Sequence, residues 1–277
     1  MASSSLRLLA RNLHDSAALT ATSEALPVSN TQRSERPRIW RSLDVTEQVI
    51  NAELPVGALV DCIALVRHNL GAGGLRRIEL LYGEEVVYDS GQIATAIVIP
   101  AGIWRAGVDP WGATYNDQLP GNVPITVHWI DRPYLVTGYR ITLTGEPPAG
   151  YMEIARIIVG EAFRPKTNIG WSPAVEWLES GEHVQTEAGS VRTVGLADLR
   201  RRVEIDLDWL NDADRSRLVS LLGKAGLGAD LLVALYPESQ STMLELEGTL
   251  VCRREASVKT THSQPGNWQT GLTFIEV

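Results

Sequence analysis

The stretch Tyr151 to Pro165, YMEIARIIVGEAFRP, constrains this chain more than any other. Ile154, Ile157, Ile158 and Val159 form a short apolar, β-branched run that suits a strand covered on both faces. A turn built from Glu146, Pro147, Pro148, Ala149 and Gly150 precedes it, and Pro165 stops it. The chain before this stretch reads as one β-rich unit, and the chain after it has a different pattern. The strand therefore closes a first domain and hands over to a second.

Residues 1–38 are polar and read as an extended arm, an edge strand or a frayed tail. Strands are expected at Trp40 to Asp44, Ala58 to His68, Leu75 to Tyr82, Val86 to Tyr88, Ile93 to Ile99, Ile125 to Ile130 and Tyr139 to Thr144. LPVG (Leu54 to Gly57) and Asp89-Ser90-Gly91 read as turns between them. Ala101 to Pro124 is a long irregular loop, and loops of that length in a compact domain are often functional. Strands at short spacing without a helix predict a jelly-roll β-sandwich over residues 39–161.

Over residues 162–277 the clearest pattern is Val203 to Leu210. Val203, Ile205, Leu207 and Trp209 alternate with Glu204, Asp206 and Asp208, as in a strand with one wet face. Asp212 to Gly223 reads as the one helix, capped by Asn211 and carrying Asp212 and Asp214 at its positive end. Leu231 to Tyr236, Met243 to Arg253 and Trp268 to Val277 complete a sheet. The fold class is all-β: a jelly roll followed by a β-rich domain with one packed helix.

The net charge of −8 divides evenly between the two halves, so neither half resembles a nucleic-acid binder. Cys62 and Cys252 stand far apart in apolar runs and read as buried thiols, not as metal ligands or a disulfide. The N-terminal apolar run is interrupted by Arg7 and Arg11, unlike a signal peptide, and no run is long enough to span a membrane. A soluble protein made in the cytoplasm is expected.

His14, His68, His128, His183 and His262 form no motif, and GxSxG, HExxH and Walker-type loops are absent. No cofactor, metal or enzymatic activity is expected. His68 reads as a structural or surface histidine, and His14, His183 and His262 sit in polar contexts. Asp206 and Asp208 can be a carboxylate pair for glycan hydrolysis, but their alternation makes them the wet side of a strand. The aromatic loop keeps three readings open. Trp104, Trp111 and Tyr115 can anchor a protein interface, stack on sugars, or fold back as a small core. Arg200, Arg201 and Arg202 read as a solvated turn, or as partners of an acidic neighbouring subunit.

The segments LPVSN, IWRS, VDCIALVRHNL, Val87 to Gly91 and IARIIVGE together resemble a module of tail and baseplate proteins of long-tailed bacteriophages. That resemblance covers residues 26–161 and implies a galactose-binding-type jelly roll. RRVEIDLDWL, the helix, LLVALYP and TGLTFIEV look like the β-domain of distal tail proteins. Together they imply a structural subunit in a virion tail tip: a homo-oligomer, six-fold in symmetry, joining tube to baseplate and contacting other tail proteins. A carbohydrate-binding adhesion module directed at a cell-surface glycan is the alternative, and a glycan hydrolase the third reading.

Overall fold

The computed structural model describes residues 5–109, 111–118, 124–170, 173–187 and 189–277. Its strands are β1 (Arg7–Leu9), β2 (Ala18–Ala21), β3 (Trp40–Arg41), β4 (Gln48–His68), β5 (Leu75–Tyr82), β6 (Glu85–Ala94), β7 (Ile125–Thr144), β8 (Glu153–Gly160), β9 (Ala174–Gln185), β10 (Val191–Leu210), β11 (Leu231–Ala234), β12 (Thr249–Arg254), β13 (Lys259–Gln264) and β14 (Asn267–Glu276). The helices are α1 (Tyr115–Gln118), α2 (Asp212–Ala225) and α3 (Thr242–Glu247).

The first sheet runs β3-β8-β4-β7-β5-β6, with β2 added on β4. Strands β4 and β7 are long enough to belong to two layers. The N-terminal half of β4 pairs with β2, while its C-terminal half pairs with β8. The pairing of β4 with β7 slips register between Glu53 and Ala58, where the ribbon bends. Both halves feed one core: Ile50, Ile78, Tyr139 and Ile141 meet Ile63, Leu65, Ile154 and Ile157. This is the predicted jelly-roll sandwich.

Two expected turns are bends inside continuous strands. LPVG does not end a strand but marks the bend of β4. Asp89-Ser90-Gly91 is a bulge within β6, where Gly91 takes φ 62°. A bulge keeps the chain in the sheet and changes only its direction, so glycine and aspartate there do not reverse it.

The second sheet runs β1-β11-β12-β14-β10-β9, with β13 on β14. The N-terminal segment is built into both sheets, through β1 on β11 and β2 on β4. Leu6, Leu8 and Leu9 are buried. Helix α2 is capped by Asn211, whose side chain accepts from the Asp214 N–H, and runs to Ala225, two residues beyond the expected Gly223, where Gly226 caps it. It docks through Leu218 and Leu222.

Three expectations fail in this half. Met243 to Glu247 is not strand: Ser241 caps the Leu244 N–H and starts α3, so only 249–254 is extended. Trp209 does not face the core; it is exposed because register shifts between Leu207 and Leu210, turning Leu210 inward in its place. Arg200, Arg201 and Arg202 are no turn but lie within β10. Arg201 is buried and clasps Glu276, while Arg202 contacts Glu176, Glu204 and Glu255, so these two are satisfied within the chain. Arg200 is exposed.

The two sheets share a third core, in which Cys62, Ala64, Val66, Trp129 and Ile158 meet Leu232, Ala234 and Val251. This explains the unbroken apolar run of β4. Val60, Ile63 and Leu65 face the jelly-roll interior, while Cys62, Ala64 and Val66 face the second sheet. Cys62 and Cys252 are buried free thiols, and burial raises both well above the usual range. Trp171 lies outside the described residues.

Candidate functional site

A cleft of about 480 Å³ opens at the end of the jelly roll where its loops converge. Its floor comes from the segment after β4, His68 to Ala72 with Gly74, and from the turn after β7, Gly145 to Pro148. Its wall is the β6–β7 loop, contributing Ala96, Trp111 to Thr114, and Asp117.

The floor demands small residues. Gly145 has φ 154°, and a Cβ on it would lie 3.1 Å from the Gly74 Cα. The two turns therefore touch backbone to backbone, and the hollow above them is not filled by side chains. Arg67, just before the floor, takes φ 52°, and its guanidinium donates to the Val277 carbonyl at 2.6 Å. Asn69 is fixed on both sides: it donates to the Tyr151 carbonyl at 2.7 Å and accepts from the Glu153 N–H at 2.8 Å. These bonds hold the cleft in shape before any ligand arrives.

The loop splits the three aromatic residues between different jobs. Trp111 stands on the cleft with 93% of its surface exposed. Trp104 backs it edge-on, with ring centroids 5.7 Å apart and planes at 82°. Tyr115 faces away, into a separate cavity shared with α3. Thr114 donates to Asp117 Oδ2 through both its N–H (2.7 Å) and its hydroxyl (2.9 Å), pinning the short helix α1. Pro110 and residues 119–123 of the loop lie outside the described residues.

His68, read from sequence as structural, lies under the cleft. It is buried and bonded through Nε2 to the Thr126 hydroxyl at 2.8 Å. Burial, with the nearby charge of Arg76, lowers its pKa to about 4, so it is a neutral imidazole at neutral pH. The exposed polar groups on the cleft are Asp117 and Glu146. Asp206 and Asp208 are exposed on β10, in the second sheet, and do not line this cleft.

An open hollow with one exposed indole face and two acidic side chains suits a polyhydroxylated ligand. The indole stacks on C–H faces, while carboxylate oxygens accept from hydroxyls. Among the described residues no group of three His, Cys, Asp or Glu is placed to hold a metal ion, and no helix is long and apolar enough to cross a membrane.

No family model matches the sequence, and no curated protein matches it. Solved structures do match over part of the chain. A family 32 carbohydrate-binding module of Clostridium perfringens NanJ, in complex with galactose, is 17% identical and covers 56% of this chain and 98% of its own, at a TM-score of 0.37. A chitosan-binding module from a chitosanase/glucanase of Paenibacillus sp. IK-5 is 15% identical, over 55% and 99%, at 0.36. A fucose-binding module of Streptococcus pneumoniae is 8% identical, over 55% and 98%, at 0.38. Likeness at this level carries no argument about what this chain binds.

Proposed function

We propose that the protein is a non-catalytic carbohydrate-binding module whose jelly roll holds a neutral sugar in the cleft between the Gly74–Gly145 floor and Trp111. One observation carries this reading: a tryptophan 93% exposed at the rim of a preformed hollow. An indole face standing free beside a concave surface offers a platform on which the C–H face of a sugar ring can stack. Asp117 and Glu146 supply acceptors that fix the sugar's orientation. The test is a glycan array of neutral and acidic oligosaccharides probed with the full chain and with Trp111→Ala. Binding that disappears in the variant supports the reading, and silence across the array sinks it.

A second reading, a structural subunit of a virion tail tip, draws on a different feature. The outer part of the β9–β10 hairpin contributes to none of the three cores, and Val184, Val191 and Val194 are exposed on it. Such a ribbon offers free backbone edges to another copy or a neighbour. Light scattering on the purified chain distinguishes the two: a defined ring favours assembly, and a monomer at micromolar concentration removes it.

A further inference from the structure

We propose that the cavity between the open end of the jelly roll and α3 binds a small oxyanion, a carboxylate or a phosphate group, on the guanidinium of Arg76. The cavity holds about 150 Å³ and is lined by Arg76, Thr95, Tyr115, Thr126 and, from the second sheet's side, Thr242 and Glu245. It is separate from the sugar cleft, and the proposal stands independently of that reading.

Arg76 is the residue that requires explanation. Its strand neighbours Ile78 and Leu80, on the same side of β5, belong to the jelly-roll core, so its side chain enters the sandwich end and is only 7% exposed. Its Nη1 donates to the Ala94 carbonyl, while Nε is buried without a partner. Among the described residues no carboxylate pairs with it, unlike Arg77, Arg140 and Arg201. A buried cation with no counter-charge is costly, and proteins satisfy such groups with an anion or with water. Burial alone depresses the guanidinium to about 10, as expected for a charge that nothing nearby compensates.

The surrounding atoms fit an anion. The Thr95 hydroxyl oxygen is also buried without a partner. A hydroxyl there can donate to an anion held on Arg76, and guanidinium donors suit a planar or tetrahedral oxyanion. Burial, and then the charge of Arg76, pushes His68 and His128 down to about 4, so neither competes as a cation at neutral pH. Glu245 is the acidic residue on the wall, and its Oε1 is occupied by the Glu238 N–H at 2.9 Å.

The experiment is thermal unfolding of the full chain in inorganic phosphate, in acetate and in chloride at equal ionic strength, with Arg76→Met beside the wild type. Phosphate or acetate should raise the wild-type midpoint by roughly 5 °C at saturation, and whichever is stronger names the class of oxyanion. The variant should lose that rise and, in chloride, unfold no earlier than the wild type, because it removes an unpaired buried charge. If Arg76→Met does not fold, Thr95→Val should at least halve the rise. An equal rise in wild type and variants, no rise with either ion, or a crystal soaked in phosphate with only water at Arg76 overturns the proposal.

Discussion

His14 and Tyr139 are hydrogen-bonded to one another inside the jelly-roll core, imidazole Nδ1 to phenol oxygen, with neither side chain exposed. The other ring nitrogen of His14 meets the Thr31 hydroxyl at 2.7 Å, and Thr31 donates to the Val28 carbonyl at 2.6 Å. The N-terminal segment is thereby tied to strand β7 by a satisfied polar chain. Burial, then the charge of Arg156, lowers the His14 pKa to about 3.

That shift sets a pH dependence. The folded pKa lies below the unfolded value, so the unfolded chain binds the proton first and stability falls as pH drops below 6.5. His68, lowered to about 4, acts with the same sign. Each should cost about 2 kcal/mol between pH 7 and pH 5. Asp15 and Asp61, whose carboxyls burial raises, act oppositely as pH falls through their own titrations. Guanidinium midpoints should drop clearly from pH 7 to pH 5, and His14→Gln should remove part of the slope. A flat profile would contradict the buried neutral imidazole.

Arg201 and Glu276 close the second sheet. Arg201 Nε donates to Glu276 Oε2 at 2.9 Å, and its Nη1 donates to the Leu246 and Glu247 carbonyls at 3.0 Å. One side chain thus ties β10 to the end of β14 and to the C-terminal turn of α3. Glu276→Leu leaves a buried guanidinium uncompensated and should cost roughly 3 kcal/mol, whereas Arg201→Met with Glu276→Leu should cost less than either single change. A double-mutant cycle by urea denaturation measures this, and additive losses would show that the pair is not coupled.

The sequence reveals where apolar strands lie but not what long-range partners do to polar ones. Ile157 to Val159 and Val60 to Val66 are recognisable because continuous β-branched and aliphatic runs have few homes other than a doubly covered strand. The arginines of β10 misled because Glu276, 75 residues beyond Arg201, is invisible to local pattern. Trp209 misled because strict alternation cannot anticipate a bulge. His14 looks solvated among polar neighbours, and only the fold brings Tyr139 onto it. The aromatic loop stands out by composition, yet only the fold shows which ring meets the cleft.

Gly160, at the end of β8, lies against the incoming N-terminal segment. A Cβ there would sit 2.7 Å from the Arg11 carbonyl oxygen and 3.3 Å from the Leu9 Cδ1. The backbone atom cannot swing aside as a side chain can, so Gly160→Ala must push the segment away from β8. The expected cost is about 1–3 kcal/mol. Limited proteolysis should cut first near residues 10–17 in the variant and elsewhere in the wild type. Unchanged stability and cleavage would mean that the segment yields to a methyl group at no cost.

Trp111 separates binding from folding. Its ring is almost wholly exposed, so Trp111→Ala should change stability by less than about 0.5 kcal/mol. Loss of the stacking face should weaken sugar affinity at least about tenfold, the scale of truncating an aromatic anchor. Trp104→Ala removes the edge-on support behind that ring and should weaken binding less, through a less ordered Trp111. Tyr115→Phe, on the far side of the loop, should leave sugar affinity unchanged. Calorimetric titration of the best array ligand into the three variants orders them. If Tyr115→Phe proved the most damaging, the ligand would sit in the α3 cavity and not beside Trp111.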